Sequence, residues 1–498
     1  MKLNKLSAAC ALALAAMSAQ AAVTPFETPQ LTVYLTGATA PDNFLASIAA
    51  GFFQGVKGTD WFQYQDNNAT VSNFSDDGRL FNAFFGQMKT TTDIPLALRG
   101  QKVLFIKRSK GGSVWGVNPV ARAEPVATLQ ISAATCVLNA GLYRCPEIGI
   151  DPGLPGYPNG QEQVSDFGVS DVNPVMFKQP FNVEFGSTQL APAEVARLNV
   201  FPVNTVMMSM VATSAIPNTT YFSRAAYGAM LSGIIQDWSS VDPALAPAAG
   251  TQVVVCRRVP GSGTQSSYNW FFNNFPCSTN SLGGTGNTTP SRMADSAGYN
   301  DGDGNGVPDT GNGTSGNPYI IDATAGYTVI ENSGSGNVRD CLAAANNGGN
   351  YNFIDEQGRN FRVNFGTGGY GAIGVLSLDS IGKENGWSFR NVDGAGNYIG
   401  GVVTGTGVAP TQPNLIDGKY DFAAELTMQY RNTTVNGVPA LSGLKKTFAD
   451  EFIRRAGAPA FQQPWTASLP PTYIPAAGQP IAKGTRFGNM CSPLQLLF

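Results

Sequence analysis

The sequence predicts an α/β protein with mainly parallel sheets, because three stretches of the chain repeat the order strand, loop, helix. In each stretch a short apolar strand ends in a loop rich in Gly, Ser or Thr, and apolar residues at helical spacing follow. The three predicted strands cover residues 31–35, 102–106 and 253–255. In folds of this class, ligands bind where the carboxyl ends of strands meet the amino ends of helices.

The first stretch begins with the apolar run 31–35, which breaks at residues 36–41 (Thr-Gly-Ala-Thr-Ala-Pro). Beyond this break, Phe44, Ile48 and Phe52 recur at the spacing of one helix face. The pattern therefore predicts a strand, a glycine-containing loop and a helix, in that order.

The second and third stretches follow the same order. Residues 108–113 (Arg-Ser-Lys-Gly-Gly-Ser) end the second strand ahead of another predicted helix. Residues 258–264 (Arg-Val-Pro-Gly-Ser-Gly-Thr) follow the third strand, and Tyr268 and Phe271 then mark a helix. Each of the three stretches thus supplies one strand-to-helix corner.

Three long segments between these units predict loop insertions. Residues 277–317, 346–369 and 393–412 are rich in Gly, Asn, Ser, Thr and Pro. Structured elements resume after each segment, and the last of them is a predicted amphipathic helix over residues 444–455.

The composition excludes several classes of function. The chain has 498 residues, no histidine, 13% charged residues and a formal net charge of -3. Without a basic surplus or a basic run, nucleic acid is not an expected partner. The absence of histidine excludes the usual general base, catalytic pairs that need an imidazole, and zinc sites with histidine ligands. These counts exclude many classes of enzyme.

The first 21 residues predict a secretory signal peptide. Lys2 and Lys5 precede an apolar run over residues 6–17, and Ala19-Gln20-Ala21 has the small-x-small pattern of a cleavage site. Cleavage near Ala21 implies a periplasmic or secreted protein. No later stretch approaches about 20 uninterrupted apolar residues, so no membrane span is predicted.

Six cysteines remain after residue 21, and an even number in an oxidising compartment predicts three disulfides. Of the 15 connectivities that six cysteines allow, the local pairs Cys136–Cys145 and Cys256–Cys277 are the simplest. The six cysteines are Cys136, Cys145, Cys256, Cys277, Cys341 and Cys491.

The loop 261–264 (Gly-Ser-Gly-Thr) lies at a predicted helix start, where free backbone N–H groups and the helix dipole attract an anion. Ser262 and Thr264 add neutral donors, and Arg258 offers a planar fork of donors to an oxyanion. The alternatives are an ordinary helix cap for the loop and a surface ion pair for the arginine.

The segment 166–171 (Asp-Phe-Gly-Val-Ser-Asp) lies near the end of another apolar strand, and its Asp171 adds a carboxylate to this anion site. A buried carboxylate accepts the proton of hydrogen phosphate but repels a fully ionised anion such as sulfate. Asp171 is therefore a candidate selectivity filter, and a turn-forming aspartate is the alternative.

Four motifs in the same order resemble the phosphate-binding protein of the high-affinity phosphate ABC transporter, within the type II periplasmic binding-protein family. The four motifs are 37–41 (Gly-Ala-Thr-Ala-Pro), 109–112 (Ser-Lys-Gly-Gly), 167–171 (Phe-Gly-Val-Ser-Asp) and 258–264. Further similar stretches are 231–238, 371–375 and 417–422, so that the resemblance extends over most of the chain after residue 21.

This resemblance implies a two-lobed fold that closes around one tetrahedral anion by a hinge motion. It also implies binding with no bond broken, so the protein is not expected to be an enzyme. Lobe I would comprise residues 22–204 and 376–498, and lobe II residues 205–375 with an insertion at 277–325. The implied phosphate ligands are Thr39, Ala40, Ser109, Asp171, Arg258, Ser262, Gly263 and Thr264. Ser113 is the alternative to Ser109.

Residues 301–309 (Asp-Gly-Asp-Gly-Asn-Gly-Val-Pro-Asp) resemble the core of calcium loops. Oxygen ligands at alternate positions suit a hard cation, and Gly306 permits the sharp turn. The candidate ligands are Asp301, Asp303, Asn305, the carbonyl of Val307, and Asp309. A polar loop without a metal is the alternative, and no other cofactor is expected.

The leading hypothesis is an exported protein that binds phosphate or a phosphate-like oxyanion and serves an ABC permease. The first alternative is a secreted or surface-associated structural or adhesive protein on the same fold, which the long insertions, the disulfides and the calcium-type loop favour. A phosphoester hydrolase ranks last, because the sequence has no histidine and no clear catalytic metal cluster.

Overall fold

The structure is a computed structural model that describes the chain from residue 23 to residue 497 with several gaps. The described ranges are 23–67, 80–184, 187–277, 290–394, 397–399, 402–403, 407–469, 472–473, 482–493 and 495–497. The predicted signal peptide and residues 278–289 of the predicted insertion lie outside the described residues.

The described residues form eight α-helices and 26 strands. The helices are α1 (Asp42–Ala50), α2 (Asn118–Arg122), α3 (Pro192–Val195), α4 (Arg224–Leu231), α5 (Gly263–Asn273), α6 (Ser335–Asn347), α7 (Gln412–Ile416) and α8 (Gly443–Gly457). The strands are β1 (Leu31–Gly37), β2 (Trp61–Asp66), β3 (Phe81–Gln87), β4 (Lys102–Arg108), β5 (Pro125–Val126), β6 (Thr128–Leu129), β7 (Val137–Asn139), β8 (Leu142–Cys145), β9 (Glu147–Ile148), β10 (Gln163–Val164), β11 (Phe167–Ser170), β12 (Leu198–Thr213), β13 (Val254–Arg258), β14 (Tyr319–Ile321), β15 (Thr328–Asn332), β16 (Asn350–Ile354), β17 (Asn360–Asn364), β18 (Ala372–Ser377), β19 (Trp387–Arg390), β20 (Asn397–Ile399), β21 (Val402–Val403), β22 (Ala423–Arg431), β23 (Thr466–Ser468), β24 (Thr472–Tyr473), β25 (Ala482–Thr485) and β26 (Gln495–Leu497). None of the described helices is both long and apolar enough to cross a membrane.

The predicted α/β class is confirmed. Sixteen strands form one large sheet, with the order β15-β13-β18-β12-β22-β11-β1-β4-β3-β2-β8-β7 along its main path. Strands β4, β1 and β11 are parallel neighbours, and so are β15, β13 and β18. We refer to these two sets as the first and second strand groups. Antiparallel pairs, such as β22 with β11 and β12, connect them.

The 16-residue strand β12 links the two groups. Its residues 198–207 pair with β22, which is the neighbour of the first group. Its residues 208–212 pair with β18, a member of the second group. An irregularity in the register between Pro202 and Asn204 lies along this crossing. One continuous strand therefore carries the chain from one group to the other.

Helix α8 covers the first strand group through aromatic side chains, as its apolar spacing predicts. The ring of Phe448 stacks on Phe52 with centroids 5.1 Å apart, and Phe452 lies 5.1 Å from Phe105 of β4. All four rings are at most 1% exposed. Aromatic pairs at this separation stabilise a core beyond the burial of their area.

Two segments predicted as loops contain strands. Within 346–369, β16 and β17 pair as an antiparallel hairpin, with Phe353 opposite Phe361 and ring centroids 5.1 Å apart. Within 393–412, β20 pairs with β19 and β21. The glycines of the first segment lie outside these two strands, whereas four asparagines lie within them, between buried residues such as Tyr351 and Phe361.

The described residues form three disulfides, which confirm one of the two predicted pairs and correct the other. Cys136–Cys145 is confirmed, with Cα atoms 4.3 Å apart. The predicted pair Cys256–Cys277 is wrong, because Cys256 bonds to Cys341 and Cys277 bonds to Cys491. Cys256 lies within β13 beneath α6, which carries Cys341, whereas the 11-residue helix α5, about 16 Å long, separates β13 from Cys277.

Candidate functional site

The candidate site lies where the loops after both strand groups meet. Strands β1, β4 and β11 of the first group end at Gly37, Arg108 and Ser170, and β13 and β15 of the second end at Arg258 and Asn332. Because parallel strands place their carboxyl ends at one edge of a sheet, the loops within each group converge. Side chains of the two sets of loops are in direct contact, as described below.

Arg258 connects the two sets of loops. Its Nη1 donates to Thr39 Oγ1 (2.8 Å) and to Ser335 Oγ (3.3 Å), and its Nη2 donates to the Ser333 carbonyl (2.6 Å). The residue is 2% exposed. Burial lowers the pKa of this guanidinium to about 10, while Asp171 opposes the shift, so the group stays charged at neutral pH.

Asp171 places a buried carboxylate beside this cation. Thr264 Oγ1 donates to its Oδ2 (3.2 Å), and its own backbone N–H donates to Ser113 Oγ (3.3 Å). Oδ1 has no hydrogen-bond partner among the described residues. Burial raises the pKa of the carboxyl to about 6, and Arg258 is the largest influence in the opposite direction. This oxygen can therefore accept one further hydrogen bond.

The first turn of α5 packs directly against Asp171. Ser262 is the N-cap, and its hydroxyl accepts from the backbone N–H of Gln265 (3.3 Å). A Cβ atom at Gly263 would lie 2.4 Å from Ser113 Oγ and 2.7 Å from Asp171 Cβ, so only glycine fits this approach. The backbone N–H groups of such a first turn have no partner within the helix and attract negative charge.

Lys107 is a second buried cation that the sequence analysis missed. Its Nζ donates to the Ala38 carbonyl (2.5 Å) and to Ser109 Oγ (2.6 Å), and it forms an ion pair with Asp42 (2.6 Å). Burial lowers its pKa, while Asp42 raises it. Strand alternation puts Lys107 on the same face as Phe105, which was the available signal of its burial.

Two further serines belong to the cluster: Ser335, which the sequence did not predict as a site residue, and Ser113, predicted as the alternative to Ser109. Ser335 begins α6 and shares both Arg258 and Thr39 as neighbours, with 3.3 Å between its Oγ and Thr39 Oγ1. Ser113 lies against Asp171 and Gly263, whereas Ser109 lies against Lys107. Both members of the Ser109/Ser113 alternative are therefore within the cluster.

A cavity of about 190 Å³ opens beside the cluster. Three of the eight predicted phosphate ligands line it, namely Thr39, Ala40 and Ser109. The other five predicted ligands do not border the cavity. They are Asp171, Arg258 and the first turn of α5 with its cap, namely Ser262, Gly263 and Thr264. Ser335 connects the two regions, because it lines the cavity and contacts Arg258. The structure thus brings all eight residues to one region, and their role toward a ligand remains a prediction.

The predicted calcium loop forms a separate cluster on the surface. Carboxylate oxygens of Asp301, Asp303 and Asp309 lie within 4.8 Å of one another. The backbone N–H of Asn305 donates to both Asp301 and Asp303, at 3.1 Å each, and Gly306 has φ +86° at the turn. Three convergent carboxylates suit a hard cation, so the donor set fits calcium.

No protein-family model matches the sequence, and no curated protein matches it. Among solved structures, the chain is similar to a putative phosphate ABC transporter substrate-binding protein with bound phosphate from Clostridium perfringens, with 12% identity, 84% of this chain and 92% of that chain covered, and a TM-score of 0.36. It is also similar to an ABC-type phosphate transport receptor from Vibrio cholerae, with 11% identity, 84% and 93% covered, and a TM-score of 0.33. A third similar structure is a high-affinity periplasmic phosphate-binding protein bound with phosphate, with 12% identity, 86% and 88% covered, and a TM-score of 0.35. With TM-scores below 0.5, these similarities add nothing to what the contacts of this chain show.

Proposed function

We propose that this protein is an exported solute-binding protein that binds phosphate or a phosphate-like oxyanion and delivers it to an ABC-type permease. The proposal depends on one observation: the loops of the two strand groups are joined by two hydrogen bonds, from Arg258 to Thr39 and from Thr264 to Asp171. Loops from both strand groups thereby place one guanidinium, several hydroxyls and one proton acceptor together. Three disulfides support a location in an oxidising compartment outside the cytoplasm.

The proposed mechanism is binding without bond cleavage. Residues 22–204 and 376–498 would form one lobe and residues 205–375 the other, with opening and closing about the crossing strands. Hydroxyls, backbone N–H groups and Arg258 would replace the hydration of the anion, while Oδ1 of Asp171 accepts its proton. Ser109 and Ala40 would complete the site from the cavity side.

Isothermal titration of the exported protein with phosphate, arsenate and sulfate tests this proposal. Phosphate and arsenate are expected to bind, because both are tetrahedral and keep a proton near neutral pH, and sulfate is expected to bind much more weakly. Absence of binding to all three anions would contradict the proposal.

Replacing Asp171 with asparagine is expected to lower the ratio of phosphate to sulfate affinity about tenfold. The amide removes the charge that repels sulfate and supplies a donor where the carboxylate only accepts. Titration of the variant with both anions measures the ratio. Asp166→Asn is the matched control, because Asp166 is also a buried carboxylate but pairs with Lys445 (2.9 Å).

The same filter depends on pH. With a pKa of about 6, Asp171 is ionised above that value and becomes a neutral donor below it. Sulfate binding by the unaltered protein should therefore increase as the pH falls below about 6. A ratio that is unchanged by both Asp171→Asn and acid would show that Asp171 does not select the ligand.

A second candidate function is a secreted or surface-associated structural protein on the same fold. The observation that favours it is the Cys277–Cys491 disulfide, which links residues of the two proposed lobes and would restrain their opening. Multimers that persist in high salt, together with no anion binding, would support this alternative.

Calcium is the proposed ion of the cluster Asp301, Asp303 and Asp309, with Asn305 and the Val307 carbonyl as further ligands. A few millimolar calcium is expected to raise the melting temperature by about 1–2 °C, because an ion that binds the folded state stabilises it. Differential scanning fluorimetry measures this shift. The shift should vanish in Asp301→Asn/Asp303→Asn and persist in Asp295→Asn, an exposed carboxylate outside the cluster. An equal shift in all three proteins would contradict a site at this loop.

A further inference from the structure

The cavity beside the anion cluster offers more room than the predicted oxyanion ligands account for. At about 30 Å³ for each water, its volume of about 190 Å³ corresponds to about six waters. Arg258, Asp171 and Thr264 do not border this cavity. An anion held by those three residues would therefore leave most of the volume for another part of the ligand.

Asp379 is a buried acceptor on the wall of this cavity. It is 7% exposed, and its Oδ2 accepts from Asn43 Nδ2 (2.8 Å) and from the Asn43 backbone N–H (3.3 Å). Its Oδ1 is buried and has no hydrogen-bond partner among the described residues. A buried carboxylate oxygen without a partner is destabilising, and a ligand that donates a hydrogen bond would remove that cost.

The surroundings of Asp379 indicate which donor it would take. Lys383 and Arg339 line the same cavity, and Arg339 Nη1 donates to Ser380 Oγ (3.0 Å). Burial raises the pKa of Asp379 to about 6, and Lys383 is the largest influence that lowers it. A cationic ligand group would be repelled by these two side chains, whereas a hydroxyl group brings a donor without a charge.

The chemistry of the remaining lining is polar as well. Asn82 and Gln65 border the cavity, and Asn82 Oδ1 accepts from Gln63. The hydroxyls of Thr39, Ser109 and Ser335 lie at the part of the wall that contacts Arg258 or Lys107. An apolar substituent would remove water from these polar groups without adding hydrogen bonds, so the lining favours a substituent that bears hydroxyls.

We propose that the ligand is a phosphate monoester of a small polyol, with its phosphoryl group at Arg258 and Asp171 and a hydroxyl group donating to Oδ1 of Asp379. This inference rests on the proposed anion site and names the class of ligand that the site takes. A monoester loses its one ionisable proton with a pKa of about 6, so Asp171 accepts a hydrogen bond from the monoanion only. The affinity for monoesters relative to inorganic phosphate should therefore fall as the pH rises above about 6.

Titration calorimetry with three probes tests the inference on the exported protein. The probes are inorganic phosphate, methyl phosphate and glycerol 3-phosphate. Glycerol 3-phosphate is expected to bind about tenfold more tightly than methyl phosphate, because only the former offers hydroxyls to a charged acceptor. Asp379→Ala should remove this advantage, and Asp379→Asn should reduce it, while both keep the affinity for inorganic phosphate.

Asp417→Asn is the control, because Asp417 is a carboxylate outside the cavity that pairs with Lys419 at the surface. Thermal melting of each variant confirms folding. Equal affinity for the two esters, or an advantage that survives Asp379→Ala, would overturn the inference and leave the proposed anion site intact. Failure of all three probes to bind would instead overturn the anion site and this inference with it.

Discussion

Replacing Arg258 with glutamine is expected to weaken phosphate binding by a factor of about 100 or more. Loss of one partner of a buried charge pair typically costs about 3 kcal/mol, which corresponds to a factor of about 150 in affinity. Arg258 is the cation that contacts Thr39 and lies beside Asp171, and glutamine provides neither its charge nor its fork of donors. Titration calorimetry with phosphate measures the loss.

Arg258→Lys separates charge from geometry. Lysine keeps the positive charge but cannot reach Thr39, Ser335 and the Ser333 carbonyl with one planar group, so an intermediate affinity is expected. If the lysine variant binds as poorly as the glutamine variant, the fork of donors matters more than the charge.

Arg390→Gln controls for the loss of a buried arginine. Arg390 is also fully buried, and it donates to the Ile216 carbonyl (2.8 Å) and the Pro217 carbonyl (2.9 Å), which belong to neither set of site loops. Its variant is expected to lose stability and keep phosphate affinity. Phosphate affinity that falls equally in the Arg258 and Arg390 variants would mean that Arg258 acts only through folding.

The elements that position the site were predictable because they depend on local pattern. The apolar runs and the glycine-rich loops at 36–41 and 258–264 gave the ends of β1 and β13 and the starts of α1 and α5 to within a few residues. The close approach of Gly263 to Asp171, in contrast, is a contact between the two strand groups. No periodicity within one segment reports on such a contact.

Lys107 shows why part of the cluster was missed. A lysine in a strand is usually read as solvent-exposed, and its neighbours in sequence include Arg108, which strengthens that reading. The structure buries Lys107 because Asp42 and the carbonyls of the first loop surround its ammonium group. Those partners come from residues 37–42, about 70 positions earlier in the chain.

The hairpin of β16 and β17 illustrates a different error. Composition suggested a loop at 346–369, but Tyr351, Phe353, Phe361 and Val363 alternate along the two strands and are all buried. The alternation of apolar residues with a period of two predicts strands here, whereas the high content of Gly and Asn predicts a loop. Periodicity reports on burial more directly than composition does.

Removing the Cys277–Cys491 disulfide is expected to lower the free energy of unfolding by about 5 kcal/mol, the value that chain entropy predicts for a loop of this size. The bond closes 214 residues, so its loss frees a large part of the unfolded chain. Urea unfolding of Cys277→Ser/Cys491→Ser, followed by tryptophan fluorescence, measures the loss. Cys136→Ser/Cys145→Ser is the control, because that bond spans only nine residues and should contribute about 3 kcal/mol.

Without this bond, other contacts should still hold the C-terminal segment in place in the folded state. The difference in stability loss between the two double variants should therefore report on the entropy of the unfolded chain. Buried Glu425 of β22 accepts from the backbone N–H groups of Arg486 (2.7 Å) and Gly488 (2.6 Å) and from the Thr485 hydroxyl (3.0 Å). These bonds attach the segment to the sheet next to the first strand group, while the disulfide attaches it to the end of α5. A loss no larger than that of the control variant would contradict the dependence on loop size. Faster phosphate release in the Cys277/Cys491 variant would in addition show that the bond restrains the opening of the two halves.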